Sequence, residues 1–405
     1  MRLLICAGGT GGGVYPALAV LQALRAEAQG NPHDELATGA GPLDLQVLWV
    51  GSVGGMEADL VKRAGIDFIE IPAGQLHGVG IRRLPGNLLA MARGYRASRA
   101  VLRRFQPQVL FFTGGYVAVP MALAGRKVPS VLYVPDIEPG LALKLLSRFA
   151  RRIAVTTADS RLYFSKGASV TVTGYPVRAD FGAWERTAAQ AALGLSPDLP
   201  TLLVFGGSKG SRSINNALIA ILPDLLAEMQ VVHISGTLDW PTVQAHQDEL
   251  AEKLVSAGHP AQVAERYRAY PYLHAEMGAA LAAADLVVCR AGASTLGELP
   301  IYGLPAILVP YPHAWRYQYI NAQYLVRQGA GQLLLDQDLG TQLLPQVRRL
   351  MREPGRLNQI RRAMRSLAQP QAANSIATLL HGMVNHDRVI EPNHQVKTGQ
   401  VDLKG

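Results

Sequence analysis

Cysteine is nearly absent from this chain of 405 residues, and charged residues are few. Only Cys6 and Cys289 occur, each at the end of an apolar run, so at most one disulfide can form. This usage fits small core residues in a reducing cytosol. Charged residues make up 17% and apolar residues 49% of the chain, which excludes a mostly disordered protein. The length predicts two domains.

Signals for export and for crossing a membrane are also lacking. The N-terminus, MRLLICAGGTGG, has too short an apolar stretch to act as a signal peptide, so we expect the protein to stay inside the cell. Segment 105–125 carries no charge, but its prolines, glutamines and Gly-Gly pair predict a strand, a turn and a helix rather than a transmembrane span. The 41 glycines have no fixed period, which excludes collagen-like and solenoid folds.

Acidic residues are missing from one long segment, Ile71 to Pro135. The nine basic residues of this segment account for the whole formal net charge of +9, because the rest of the chain holds 30 charges of each sign. A local basic field predicts an anionic partner: phospholipid, nucleic acid or a phosphorylated substrate. We do not expect nucleic acid, because zinc-finger spacing, an aromatic RNA-binding signature and a basic terminal tail are all absent.

The same order of elements occurs in both halves of the chain. A strand, a glycine-rich turn and a helix are predicted at 3–25 and again at 201–229. With the later alternation of strands and helices, this order predicts an α/β fold of two Rossmann-like, doubly wound parallel-sheet domains. We assign 1–178 to the N-terminal domain, 179–200 to a linker, 201–384 to the C-terminal domain with the terminal helices, and 385–405 to a polar tail.

Both glycine-rich turns place backbone N–H groups at the start of a helix, where the helix dipole favours a phosphate. Tight turning between strand and helix is the simpler explanation for either loop alone, but its recurrence in both halves favours binding. Neither loop has the Gly-Lys-Ser/Thr of a P-loop. The second strands, LQVLWVGS and VVHISG, end without the acid that holds a nicotinamide cofactor's ribose, so we do not expect such a cofactor.

The motif RAGASTLGEL predicts a strand end, a turn of small residues and a helix with Glu298 in its first turns. Small side chains let a ligand approach the backbone, and the carboxylate can accept hydrogen bonds from both hydroxyls of a ribose. An acid that only interacts with the helix dipole is the simpler alternative.

Seven motifs resemble one known family in both sequence and order: GGTGGGVYPALAV, MEADLV, GGYVAVP, EPGLALKLLSRFA, GYPVR, GGSKGSRSIN and CRAGASTLGELPIYGLPAILVPYPHAWRYQYINA. It is the MurG family, the undecaprenyl-diphospho-muramoylpentapeptide N-acetylglucosaminyltransferases of peptidoglycan synthesis. The resemblance implies a GT-B fold, in which two Rossmann-like domains face a cleft. It also implies inverting transfer of GlcNAc from UDP-GlcNAc to the lipid-linked acceptor lipid I, giving lipid II at the cytoplasmic face of the membrane, without metal or cofactor.

The resemblance further implies which residues hold the two substrates. Glu298 would hold the ribose, Ser208 the UDP phosphates and Gln318 the GlcNAc hydroxyls, while the backbone near Leu273 or His274 would hold uracil. The full set of donor-binding candidates is Thr10, Gly11, Gly12, Asp136, Arg178, Ser208, Leu273, His274, Ala293, Ser294, Thr295, Leu296, Glu298, Tyr317 and Gln318. The acceptor diphosphate would lie against Gly9, Thr10, Gly11, Gly12 and Gly13.

This chain departs from the family pattern at positions that the resemblance places in the cleft. Gly13 stands where the family has a histidine, a candidate general base, and the family's His-Glu-Gln-Asn is here Tyr133 to Asp136. The Asn of the family's Gly-Asn-Pro-Val-Arg is Tyr175, and the His before Gln318 is Tyr317. An inverting transfer needs a base to take the acceptor hydroxyl proton. The candidates are Asp136, Glu138 and His77; the alternative for Asp136 is a loop-capping acid.

Within the acid-free segment, an apolar tip with a basic rim predicts peripheral binding to the inner leaflet of the membrane. The residues assigned to it are Ile81, Arg82, Arg83, Leu84 and Leu88. Anionic lipid head groups attract such a surface by about 1 kcal/mol per nearby basic residue. The departures leave two further functions open: a related GT-B transferase with a different sugar or acceptor, and a UDP-sugar-binding paralogue of weak or no activity.

Overall fold

The computed structural model describes residues 1–8, 11–28, 45–55, 57–74, 84–207, 209–256, 258–274, 276–313 and 316–388. Within these ranges the strands form two parallel sheets, one in each half of the chain. The predicted α/β architecture of two Rossmann-like domains is therefore confirmed.

The first sheet has the strand order β3-β2-β1-β4-β5-β6-β7. Its strands are β1 (Arg2–Cys6), β2 (Gln46–Ser52), β3 (Asp67–Ile71), β4 (Val109–Phe112), β5 (Ser130–Val134), β6 (Arg152–Val155) and β7 (Val170–Val172). Its helices are α1 (Gly11–Ala28), α2 (Glu57–Arg63), α3 (Leu84–Phe105), α4 (Ala118–Ala124) and α5 (Leu141–Leu146). The strand order reverses between β1 and β4, which is where ligands bind in open α/β sheets.

The central strands β1, β4 and β5 of this sheet are buried on both faces, as the continuous apolar run of β1 predicts. Leu3 and Ile5 belong to the core under α1, while Leu4 and Cys6 belong to the core under α3, α4 and α5. This alternation follows from the two-residue period of a strand. The carboxyl end of β1, and the glycine loop that follows it, are therefore held from both sides.

The second sheet has the order β10-β9-β8-β11-β12-β13. Its strands are β8 (Thr201–Phe205), β9 (Gln230–Ile234), β10 (Tyr267–Tyr270), β11 (Leu286–Cys289), β12 (Ala306–Leu308) and β13 (Gly331–Leu333). Helices follow them as α7 (Arg212–Leu226), α8 (Trp240–Asp248), α9 (Leu250–Ser256), α10 (Met277–Ala283), α11 (Thr295–Tyr302), α12 (Tyr317–Arg327), α13 (Leu339–Arg352) and α14 (Pro354–Ser366). Here the order reverses between β8 and β11.

The structure corrects two domain boundaries. The predicted linker 179–200 contains α6 (Arg186–Ala192), and Ala189, Leu193 and Leu195 are buried in the core of the second domain. The last helix, α15 (Ala372–Arg388), was assigned to the C-terminal domain, but it packs on α1, and Ile376 and Leu380 are buried in the core of the first domain. Over the residues that the structure describes, the chain thus crosses between the domains twice, before α6 and before α15.

Segment 105–125 forms β4, a turn and α4, as predicted. Among the helices formed by the described residues, none combines the length and the apolar character that crossing a bilayer requires.

Candidate functional site between the two domains

The first glycine turn lies at the switch point of the first sheet. It leads from β1 into α1, and it packs closely against the turn that follows β4. The Thr113 hydroxyl donates to the Gly13 carbonyl at 2.7 Å. At Gly115, where φ is +89°, an added Cβ would lie 2.7 Å from the Gly8 carbonyl oxygen. Gly11 and Gly12 open α1, so their N–H groups lie at its positive end; Gly9 and Thr10 lie outside the described residues.

The second glycine turn is nested against the turn after β9. At Gly210, where φ is +76°, an added Cβ would lie 2.2 Å from the Ser235 carbonyl oxygen, and at Gly206 it would lie 2.4 Å from Ser211. Only glycine fits such contacts without displacing backbone. Arg212 then opens α7, which directs the helix N-terminus toward the carboxyl edge of the second sheet. Ser208, the candidate for the UDP phosphates, lies outside the described residues.

Glu298 occupies the first turn of α11, directly after the switch-point strand β11. Its backbone N–H donates to the Ser294 carbonyl at 2.8 Å, and the Thr295 hydroxyl donates to Gly292 at 2.6 Å, so the turn of small residues is closed by its own hydrogen bonds. Burial raises the pKa of Glu298 from 4.5 to about 7, while Ser294 and the charge of Arg178 act in the opposite direction. Ala293 and Leu296 are buried beside this turn.

Arg178 and two tyrosines lie near Glu298 where the domains meet. The Arg178 guanidinium lies 6.0 Å from the Tyr15 ring centroid and 5.5 Å from that of Phe181. The hydroxyls of Tyr15, on α1, and Tyr272, after β10, are 3.0 Å apart, so they join the two domains. Burial and the hydrogen bond with Tyr15 raise the pKa of Tyr272, the charge of Glu298 adds to this rise and that of Arg178 opposes it. These residues therefore share one electrostatic environment.

The candidate uracil residues follow Tyr272. Leu273 is buried, and its neighbour His274 is exposed with its ring 4.7 Å from that of Tyr272 in an edge-on contact. The segment thus places one buried side chain and one exposed ring directly after Tyr272.

Asp136 follows β5, at the carboxyl ends of the strands of the first sheet, and its side chain contacts the second domain. Its Oδ1 accepts a hydrogen bond from Nδ2 of Asn321, on α12, at 2.8 Å. Burial raises the pKa of Asp136 above its usual value, and the Asn321 hydrogen bond acts against this rise. A raised pKa makes the ionised carboxylate a stronger proton acceptor, which is what a general base requires.

Glu138, the second candidate base, is held in ion pairs. Its oxygens accept from Arg316 at 2.5 and 2.8 Å and from Lys144 at 3.1 Å, and the side chain is only 2% exposed. The Arg316 hydrogen bonds hold the pKa of Glu138 below its usual value; burial opposes them and Lys144 supports them. Both oxygens are occupied, so this carboxylate is poorly placed to take a substrate proton. His77 lies outside the described residues.

Tyr317 and Gln318 open α12 opposite Asp136. The charges of Glu138 and Asp136 add to burial in raising the pKa of Tyr317. Gln318 Oε1 accepts the Tyr311 backbone N–H at 2.9 Å, which leaves Nε2 as the end of this side chain that can donate to a ligand. Tyr317 therefore lies at the junction between the domains, and Gln318 follows it in the same helix.

Tyr133 and Tyr175 are not exposed to the cleft, in contrast to the expectation for the departures from the family pattern. Tyr133 is fully buried and its hydroxyl lies 2.8 Å from that of Thr156; burial raises its pKa well above the usual value. Tyr175 packs edge-on against Tyr133 and fills the space beside Gly297, where an added Cβ would lie 2.7 Å from its ring. These two aromatic residues pack in the core behind the site.

Three polar residues of the site were not among the sequence candidates. Asn321 donates to Asp136, and Arg316 donates to Glu138. The third residue, Arg290, is buried, forms an ion pair with Asp336 at 2.5 Å and donates to the Ser213 hydroxyl at 2.8 Å. One signal was available for Asn321: it stands beside Ala322 in the buried row of an amphipathic helix, where an amide needs partners. Arg316 had no comparable signal, because its partner is distant in the sequence.

The membrane candidates lie on and before α3. Ile81, Arg82 and Arg83 lie outside the described residues, Leu84 opens the helix, and Leu88 is 55% exposed. A groove of about 600 Å³ follows along α3 and α4, lined chiefly by Met91, Tyr95, Arg96, Arg99, Arg103 and Leu123. Apolar and basic side chains thus share one surface of the first domain.

Two family models match the chain: the glycosyltransferase family 28 N-terminal domain over residues 36–155 and the corresponding C-terminal domain over 201–378. Among curated proteins, the chain is 40% identical to the UDP-N-acetylglucosamine-N-acetylmuramyl-(pentapeptide) pyrophosphoryl-undecaprenol N-acetylglucosamine transferase of Roseiflexus sp. (strain RS-1), and the match covers 95% of each chain. It is 38% identical to the protein of the same name from Desulforudis audaxviator (strain MP104C), covering 94% of this chain and 98% of the relative.

Two solved structures are similar to this chain in fold. MurG from Acinetobacter baumannii has a TM-score of 0.69 at 24% identity, covering 94% of this chain and 99% of that one. The calicheamicin glycosyltransferase CalG4 has a TM-score of 0.62 at 16% identity, covering 97% and 100%. At these identities the likeness shows the fold alone, and it confirms the predicted GT-B architecture.

Proposed function

Because this chain belongs to the MurG family of N-acetylglucosamine transferases, we propose that it transfers GlcNAc from UDP-GlcNAc to undecaprenyl-diphospho-MurNAc-pentapeptide in peptidoglycan synthesis. The products are lipid II and UDP. The family relation extends over nearly the whole chain, including both domains that the reaction needs.

The observation that carries the proposal is the placement of Glu298. It lies at the switch point of the second sheet, close enough to Arg178 for their charges to interact. A carboxylate there can accept both ribose hydroxyls of the donor, and Arg178 supplies positive charge on the same side of the cleft. The N–H groups at the start of α7 can hold the diphosphate.

In this mechanism Asp136 is the general base. The acceptor C4 hydroxyl attacks the anomeric carbon of GlcNAc, its proton passes to the Asp136 carboxylate, and the bond from the anomeric carbon to the UDP oxygen breaks. The glycine turn before α7 stabilises the charge that develops on the departing UDP. Asp136 is preferred to Glu138 because Glu138 already accepts from Arg316 and Lys144.

The proposed reaction is tested with purified protein, UDP-GlcNAc and a soluble lipid I analogue. Calorimetry should show binding of UDP-GlcNAc and much weaker binding of UDP-glucose, and UDP should be released only when the acceptor is also present. Donor binding without acceptor-dependent release would favour a binding role or another acceptor, and preference for a different sugar would contradict the assigned donor.

We also propose that the groove along α3 and α4 binds the anionic inner face of the membrane. Exposed Leu88 and Leu89 precede the arginines of this surface on one helix, which suits head groups beside an apolar layer. The variant Arg96→Glu/Arg99→Glu should lose flotation with anionic liposomes. The matched control, Arg356→Glu/Arg362→Glu on exposed positions of α14, should float like the unmodified protein. Equal loss in both variants would mean that net charge, not this surface, drives binding.

A further inference from the structure

One short segment of the first domain is held by one helix start of the second. Asp136, Ile137 and Glu138 are consecutive, and all three bond to residues at the start of α12, namely Arg316 and Asn321. The contact therefore involves three consecutive residues, through two side chains and one backbone N–H, rather than a single pair. It lies directly beside the proposed general base.

The Asn321 side chain is fully buried and can adopt only one orientation. Its Nδ2 donates to Asp136 Oδ1 at 2.8 Å and to the Ala291 carbonyl at 3.2 Å, and its Oδ1 accepts the Ile137 N–H at 3.2 Å. Carbonyl and carboxylate oxygens only accept and a backbone N–H only donates, so a flipped amide would lose all three bonds. The amide thus fixes both the backbone and the carboxylate of the 136–137 turn.

The ion pair between Glu138 and Arg316 also holds this turn against the second domain. Arg316 reaches Glu138 through a two-pronged contact from Nε and Nη2, the geometry in which a guanidinium binds a carboxylate most specifically. Glu138 is buried and also holds Lys144 of its own domain. Removing Arg316 would therefore weaken the bridge between the domains and still leave Glu138 with one partner.

We propose that Asn321 is a positioning residue that orients the Asp136 carboxylate from the opposite domain, and that the Arg316–Glu138 pair holds the domains at the distance this needs. The inference rests on the proposed function, in which Asp136 is the base. Its consequence is that the base is in place only when the cleft is closed. When the cleft is open, the protein can bind the donor, but Asn321 does not reach Asp136 and the carboxylate is not oriented to accept the proton.

A double-mutant cycle tests the positioning role. Asn321→Ala should lower kcat by about 10²-fold, since a small displacement of a reacting group has an effect of that size, while the dissociation constant of UDP-GlcNAc changes little. In an Asp136→Asn background the same substitution should produce almost no further loss, because its effect passes through Asp136. If the two losses multiply, Asn321 does not act through Asp136 and the proposal is wrong.

The ion pair has a matched control on the same helix. Arg327, at the other end of α12, bridges to Asp159 of the first domain at 2.8 Å, and its side chain is 61% exposed, as is that of Arg316. Arg316→Met should lower kcat severalfold or more, and Arg327→Met should leave it nearly unchanged. Equal losses would overturn the assignment of a special role to Arg316.

Failure of this inference differs from failure of the proposed function. If the unmodified protein releases no UDP with donor and acceptor together, the proposed function fails first. If it turns over and the Asn321 and Asp136 losses multiply, only the positioning role fails. Thermal melting of each variant identifies those whose loss of turnover comes from unfolding; Asn321→Ser, which restores a small donor, then replaces Asn321→Ala in the cycle.

Discussion

Replacement of Glu298 by glutamine should make the ligand-free protein more stable at alkaline pH. In the folded state burial raises the pKa of this carboxyl group from 4.5 to about 7. The folded protein therefore holds the proton more tightly than the unfolded chain does, and the ionised form has a free-energy cost that appears as the pH rises from about 4.3 and is complete above about 7. The shift from 4.5 to about 7 corresponds to at most about 3–4 kcal/mol.

The assay compares melting temperatures of the two proteins at about pH 5 and about pH 8. For domains of this size about 1 kcal/mol moves the melting temperature by about 2–4 °C, so Glu298→Gln should melt several degrees higher than the unmodified protein at the higher pH. The difference should shrink at the lower pH. The control Glu252→Gln, on an exposed position of α9, should show no such pH-dependent gain.

The donor should reverse this order of stability. UDP-GlcNAc at about a hundred times its dissociation constant adds about 2.7 kcal/mol to the unmodified protein, and it should add much less to Glu298→Gln if the carboxylate holds the ribose. A variant that gains no stability at about pH 8 would refute the buried-carboxyl argument. A variant that responds fully to the donor would refute the ribose assignment.

Three further outcomes follow from the geometry of the site. Asp136→Asn should lower kcat by about 10²–10⁴-fold with little change in donor affinity, measured by steady-state kinetics and calorimetry. Gly210→Ala should lower both the melting temperature and the affinity for UDP-GlcNAc, because its Cβ would lie 2.2 Å from the Ser235 carbonyl oxygen; Gly258→Ala, with a similar φ of +82° and open space around it, should affect stability alone. Arg290→Lys should lower the melting temperature, because an ammonium cannot reproduce the forked contacts of a buried guanidinium; equal melting would contradict this.

The repeated order of strand, glycine turn and helix was enough to predict both sheets. Apolar runs such as that of β1 identify strands buried on two faces, and the turns that follow them mark the edges where ligands bind. The position of α15 could not be predicted in this way. Its apolar residues predict a helix that buries one face against another element. However, residues such as Ile376 and Leu380 could pack equally well on either of two similar domains, so the sequence does not show which domain the helix joins.

The identity of the proposed general base also could not be predicted from the sequence. The sequence offers three candidates, Asp136, Glu138 and His77, and the first two are only two residues apart. Their difference comes from Arg316 and Asn321, which are close only because the two domains meet at this turn. Tyr133 was expected in the cleft because the family resemblance places its motif there, whereas the two-residue period of β5 turns its side chain into the core.

The proposed transfer is tested most simply by the mass of the product that the unmodified protein makes from UDP-GlcNAc and a lipid I analogue. The acceptor should gain the mass of one N-acetylhexosamine residue, in amounts equal to the UDP released. UDP release with an unchanged acceptor mass, or an acceptor that gains a different sugar when other UDP-sugars are offered in competition, would contradict it.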